Sequence, residues 1–138
     1  MNPLTLMQKV FLLIAGLSGA TNVLLGAMAS HWLKDQLNYW ELSTFETAAR
    51  YHMYHTLALF GLAVLMKFYP SKLLSSAGVM FILGIALFSG SLYLMSISEI
   101  VYRPSLDMLA PLTPIGGGAF VIGWLLLTMS ILSGWKSR

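Results

Sequence analysis

The sequence has no cysteine, which excludes disulfides and thiolate metal sites and leaves the redox compartment open. Charge is nearly as scarce. Asp, Glu, Lys and Arg make up 9% of the residues, against about 25% in an ordinary soluble domain. No Lys/Arg block is present, so nothing points to nucleic acid. Histidine occurs three times, at His31, His52 and His55. A zinc site wants three or four ligands, and two histidines three apart on one helix cannot clamp a haem from both sides. The expectation is therefore no metal and no cofactor. What the chain does have is apolar surface: 57% of its 138 residues are hydrophobic, more than a soluble fold of that length could hide. The apolar segments run to about 20 residues, the span of a hydrocarbon core. One integral membrane domain over residues 1–138 is the reading, an all-α four-helix transmembrane bundle with helices at about 6–29, 43–67, 73–97 and 115–134.

Helix one is charge-free from Val10 to Ala29 and begins at a snorkelling Lys9. A cleaved signal peptide ending at Ala27-Met28-Ala29 is the rival reading, but the run is longer than a signal's apolar core. It also carries a seam at Ala15, Gly19, Asn22, Gly26 and Ala29. Small residues at such spacing let helices approach in lipid, and an amide can bond across. The connection Ser30–Leu42 places Leu33, Leu37 and Trp40 on one stripe and reads as a short amphipathic helix in the membrane interface. Helix two opens with Ser43 and Glu46, spaced as a capping box. Helix three carries Ala77, Gly84, Ser91 and Ser98 seven apart, and helix four carries Gly116, Gly123, Ser130 and Gly134. The packing residues expected to matter are Gly19, Asn22, Gly26, Gly84, Ser91, Gly116 and Gly123. Gly116-Gly117-Gly118 lacks the spacing of a phosphate loop. Pro104, Pro111 and Pro114 mark the last connection as a loop.

The polar chemistry is concentrated in Phe45–His55. Glu46 and Arg50 lie four apart, so they share a helix face and can pair, and Tyr54 continues that face. Tyr51 and His55 share the adjoining face, and His52 points elsewhere. Two uses compete. Glu46, Arg50, Tyr51, Tyr54 and His55 either form a structural ion pair and an aromatic plug, or line a polar pocket or proton path. Ser89 and Ser91 become nucleophile candidates only if His55 meets them across helices. Lys9, Lys67, Lys72, Lys136 and Arg138 fall on one side of the membrane, and Lys34, Arg50 and Arg103 with every acid on the other. Five basic residues against three put both termini in the cytoplasm.

Several blocks carry a resemblance. Gly26-Ala27-Met28-Ala29-Ser30-His31-Trp32-Leu33-Lys34 is one. The others are Glu46-Thr47-Ala48-x-Arg50-Tyr51-x-Met53-Tyr54-His55, Leu87-Phe88-Ser89-Gly90-Ser91-Leu92-Tyr93, and Thr113-Pro114-Ile115-Gly116-Gly117-Gly118 before Gly123-Trp124. Together they resemble the domain-of-unknown-function 423 family, the UPF0382 membrane proteins. They fall in order along nearly the whole chain. The departures are Ser30, where the family usually has Ala or Gly nearby, and His52, where it commonly has Gln. The resemblance implies a small four-helix membrane protein of bacterial inner membranes and eukaryotic organelles. It implies no particular activity, and it argues against cleavage after Ala29. The functional expectation is a non-enzymatic membrane protein, an envelope-stability factor or accessory subunit. The alternative is a small proton-linked transporter or ligand-binding membrane protein using helix two. Expected partners are membrane lipids and, across an exposed seam, a second copy or another membrane protein.

Overall fold

A computed structural model of the chain describes residues 3–101 and 106–135. Arg103, Pro104, Lys136 and Arg138, used above for the loop and the orientation, lie outside the described residues, as do the side chains of Glu99 and Asp107 and the surroundings of Gly134. Helix α1 spans Leu6–His31; Thr5 caps it, taking the Gln8 amide on its hydroxyl while Gln8 bonds back to the Thr5 amide. Helix α2 spans Tyr39–Leu65. Helix α3 (Lys72–Gly84) runs through a π-helical turn, Ile85–Ser89, into α4 (Gly90–Val101), so the three form one column. Helix α5 spans Leu112–Trp135. The protein is an all-α four-helix transmembrane bundle. Three segments, Leu6–Asp35, Lys72–Ser98 and Leu112–Ser133, are long and apolar enough to cross a membrane. Helix α2 is as long but interrupted by Arg50, His52 and His55.

Two boundaries differ from the sequence expectation for local reasons. Helix α2 begins four residues before Ser43, because Asn38 and Glu41 make the capping box. Asn is at least as good a cap as Ser, and the earlier box wins. Helix α5 begins at Leu112, ahead of Ile115, and holds Pro114 in its first turn. A proline there removes an amide that has no intrahelical partner anyway. The short helix of the first connection is a single 3-10 turn, Leu33–Asp35. Its stripe divides: Leu33 and Leu37 are buried in the bundle, while Trp40 is 77% exposed.

The interior is layered. Phe11, Ala15, Leu59, Leu62, Ala63, Leu74, Phe81 and Phe120 form an apolar cluster at the end where α1 begins. Ala29, Leu33, Leu37 and Phe45 form a second at the opposite end. Between them α1 and α2 present Ser18, Asn22, His52 and Thr56 to one another and to α4.

Candidate functional site

The polar side chains of α2 fall on three faces. His52 faces α1 and α4. Its Nε2 lies 2.7 Å from Ser18 Oγ, and its Nδ1 lies 3.3 Å from the Tyr93 hydroxyl. Asn22 donates through Nδ2 to the Ala49 carbonyl at 2.8 Å and to the Tyr93 oxygen at 3.3 Å. Ser18 Oγ is also 2.7 Å from Thr56 Oγ1. One donor order satisfies the set. Tyr93 accepts from Asn22 and donates to His52 Nδ1, His52 Nε2–H donates to Ser18, and Ser18 donates to Thr56. Buried polar groups need such partners, and in lipid no water supplies them.

His55 faces α5. Its Nδ1–H donates to the Tyr51 carbonyl at 2.8 Å, and its Nε2 accepts from Trp124 Nε1 at 3.2 Å. The ring stacks on Phe120 with centroids 3.4 Å apart and planes 9° apart. Phe81 and Trp124 close two further sides at 5.6 and 6.1 Å. Tyr51 lies against Phe88 at 4.8 Å. Both ring nitrogens of His55 are engaged inside this aromatic box, and neither meets Ser89 or Ser91. Ser91 donates to the Phe88 carbonyl and takes a bond from Thr113 at 2.8 Å, tying α4 to the start of α5. Ser89 Oγ is buried without a hydrogen-bond partner among the described residues.

Glu46, Arg50 and Tyr54 lie on the outward face of α2, all exposed. The ion pair expected between Glu46 and Arg50 is replaced by a bond within the helix: Arg50 Nη2 donates to Thr47 Oγ1 at 3.0 Å. Thr47, three residues before Arg50, is as close along the helix as Glu46 and already held by its bond to the Ser43 carbonyl at 2.9 Å. The five residues grouped by spacing therefore separate. Tyr51 and His55 come together against α5, and Glu46, Arg50 and Tyr54 face outward.

The packing residues separate as well. A Cβ on Gly84 would run into the Phe120 ring, one on Gly116 into the Phe88 backbone, and one on Gly123 would lie 2.7 Å from the Phe81 ring. Among the described residues, the neighbour at Gly19 is Thr56 Cγ2 at 3.7 Å, an ordinary contact, and at Gly26 nothing lies within 4 Å. Gly26 is thus no contact point, because the α1–α2 interface there passes through Asn22 and Ala29 on the buried side. Gly78, which the seam spacing omits, meets the Phe11 ring. Asn22 is an interhelical bond donor. Sequence reasoning missed Ser18, His52, Thr56 and Tyr93. The signal was present in the four-residue steps Ser18–Asn22 and His52–Thr56, which put two polar groups on one face of each helix.

A family model described as a protein of unknown function (DUF423) matches residues 25–117. Over 124 residues the chain is 36% identical to the UPF0382 membrane protein YwdK of Bacillus subtilis, covering 89% of this chain and 96% of that protein. It is 35% identical over 125 residues to the UPF0382 inner membrane protein YgdD of Escherichia coli K12, covering 91% of each. It is 36% identical over 125 residues to a UPF0382 membrane protein of Staphylococcus epidermidis, covering 91% of this chain and 97% of that protein. No solved structure matches the chain.

Proposed function

The chain belongs to the DUF423 family of UPF0382 membrane proteins, and from that premise we propose that it is a non-enzymatic component of the bacterial cytoplasmic membrane. It acts there as an envelope-stability factor or as an accessory subunit of a membrane assembly, with both termini in the cytoplasm. One observation carries this reading: the buried polar groups of α2 serve helix packing. His52 and His55 each have both ring nitrogens hydrogen-bonded inside the bundle, to α1 and α4 in one case and to Tyr51 and Trp124 in the other. Glu46 and Arg50 lie on a different face from His55, so the three do not line one path. The printed names of the Bacillus and Escherichia relatives, membrane and inner membrane proteins, support the location. The segregation of basic residues supports the orientation.

The test is complementation in a bacterial strain whose own family member has been removed, read as uptake of a dye that intact envelopes exclude. In parallel, proton flux is measured in proteoliposomes. A structural component restores exclusion in proportion to the amount of folded protein, and conducts no more than empty liposomes. A His55→Phe variant that accumulates to parental levels but fails to complement, together with a parental flux that the variant loses, would overturn the reading in favour of proton-linked transport.

A further inference from the structure

We infer that the outward face of α2 is a binding site for one zwitterionic aminophospholipid, whose phosphate sits on Arg50 and whose ammonium sits on Glu46. Glu46, Arg50, Tyr54, Leu57 and Gly61 follow one another at steps of four, four, three and four, which keeps them on one helix face. All five are exposed.

Two of them are charges without a counter-charge among the described residues. Arg50 uses one N–H on Thr47 Oγ1, and a guanidinium has five. Thr47 gives its own proton to the Ser43 carbonyl, so it can only accept. This bond turns the guanidinium toward the start of α2 and leaves the rest of its fork open. Among the described residues the Glu46 carboxylate has no partner.

Depth gives the two charges their order. The charge-free run of α1 ends at Ala29, and counting back about 20 residues from Lys67 on α2 reaches Thr47. Ala29 and Phe45 belong to one cluster, so both helices set the hydrocarbon boundary at the same level. Glu46 lies at that level and Arg50 about 6 Å deeper, at ~1.5 Å per residue. In an aminophospholipid the phosphate is nearer the acyl chains and the ammonium lies outside it. The base below the acid matches that order, whereas an anionic headgroup without an amine would leave Glu46 unpaired beside it. Tyr54, 58% exposed, brings a hydroxyl one turn deeper still. Below it Leu57 offers apolar surface, and a Cβ on Gly61 would meet nothing within 4 Å, which leaves room for an acyl chain.

The test is native mass spectrometry of the full chain released from nanodiscs of equimolar phosphatidylethanolamine and phosphatidylglycerol. The parent should retain one phosphatidylethanolamine in preference to phosphatidylglycerol by roughly two- to fivefold, the ratio an exposed ion pair supplies. Glu46→Gln should reverse that preference. Arg50→Gln should lose both lipids, and Lys67→Gln, at the other membrane face, should change neither. All three sites are exposed, and circular dichroism checks that each variant is folded. If Arg50→Gln does not fold, the reversal in Glu46→Gln decides alone. The inference fails if Arg50→Gln keeps the parental lipid pattern, or if the parent shows no headgroup preference. It fails equally if inorganic phosphate displaces the lipid, which marks a free-anion site, or if the parent appears as a lipid-free dimer, which puts a second copy on this face.

Discussion

Alanine at Gly116 and alanine at Gly26 are the same chemical change at two helix positions, with opposite expected outcomes. At Gly116 the new Cβ would press on the Phe88 amide and lie 2.8 Å from its Cα. Those are backbone atoms of the π-helical turn and cannot rotate away, so α5 or the turn must shift. Overpacking of this kind costs about 1–3 kcal/mol. Against it stands the gain of about 0.5–1 kcal/mol from removing a glycine from a helix. The middle of those ranges leaves Gly116→Ala less stable than the parent by about 1 kcal/mol. At Gly26 nothing lies within 4 Å of the added carbon, so only the gain of about 0.5–1 kcal/mol remains. The unfolded-state terms are common to both variants and cancel in the comparison. The difference between them is the overpacking cost itself, about 1–3 kcal/mol. Reversible unfolding in mixed micelles measures it. If the two variants agree to within about 0.3 kcal/mol, the resolution of such comparisons, then α5 does not press on Phe88 and the packing argument is wrong.

Tyr93→Phe removes a bond from Asn22 and one to His52. Buried bonds in membrane proteins are worth about 0.6 kcal/mol on average and ~1.7 at most, so a loss of about 1–3 kcal/mol is expected. A double-mutant cycle with Asn22→Ala should show coupling of at least about 0.5 kcal/mol, and additivity would dissolve the network. His55→Phe keeps the stack on Phe120 but strands the Trp124 indole N–H, at a cost of about 1–3 kcal/mol; unchanged stability, with unchanged Trp124 emission, would show that the bond is not formed. Cysteines placed at Gln36 and Ser71 should label from opposite faces of the membrane, Gln36 from outside, and labelling of Ser71 from outside would overturn the orientation.

The class of the molecule was readable because lipid leaves few solutions: the long apolar runs of α1, α3–α4 and α5 read as spanning helices, and α2 joins them in a bundle. Cap positions were less readable. Asn38/Glu41 and Ser43/Glu46 offer the same pattern five residues apart, and the structure uses the first. Among the glycines, spacing found Gly84, Gly116 and Gly123, each of which faces a bulky aromatic residue. It also took in Gly26, since period alone says which residues share a face and not whether a neighbour stands opposite. His52 was passed over for the same reason. Its face becomes meaningful only when Ser18 of α1 and Tyr93 of α4 are brought to it, and those lie 34 and 41 residues away. The Glu46–Arg50 pair had the right spacing. In the structure the guanidinium turns to Thr47 and the pair is not made, which spacing alone does not decide.

Helix α2 is the least apolar of the four, and its partners have to make up the difference. Its apolar half holds Leu57, Leu59, Phe60, Leu62, Val64 and Leu65. Each such residue favours insertion by about 0.3–0.6 kcal/mol, so the six supply about 2–4. One arginine near mid-membrane costs about 2.5–3.5 kcal/mol and less near the interface, which leaves little to offset His52 and His55. What remains must come from α1, which inserts first and presents Ser18 to His52 and Asn22 to the Ala49 carbonyl. Ser18→Ala with Asn22→Ala makes α1 itself more apolar and so improves its own insertion. The same pair of changes should lower the fraction of α2 that inserts behind it, as read by glycosylation at an acceptor site placed after Leu65. If the fraction holds steady, α2 enters on its own hydropathy, and the polar layer between α1 and α2 forms only after both helices are already in place.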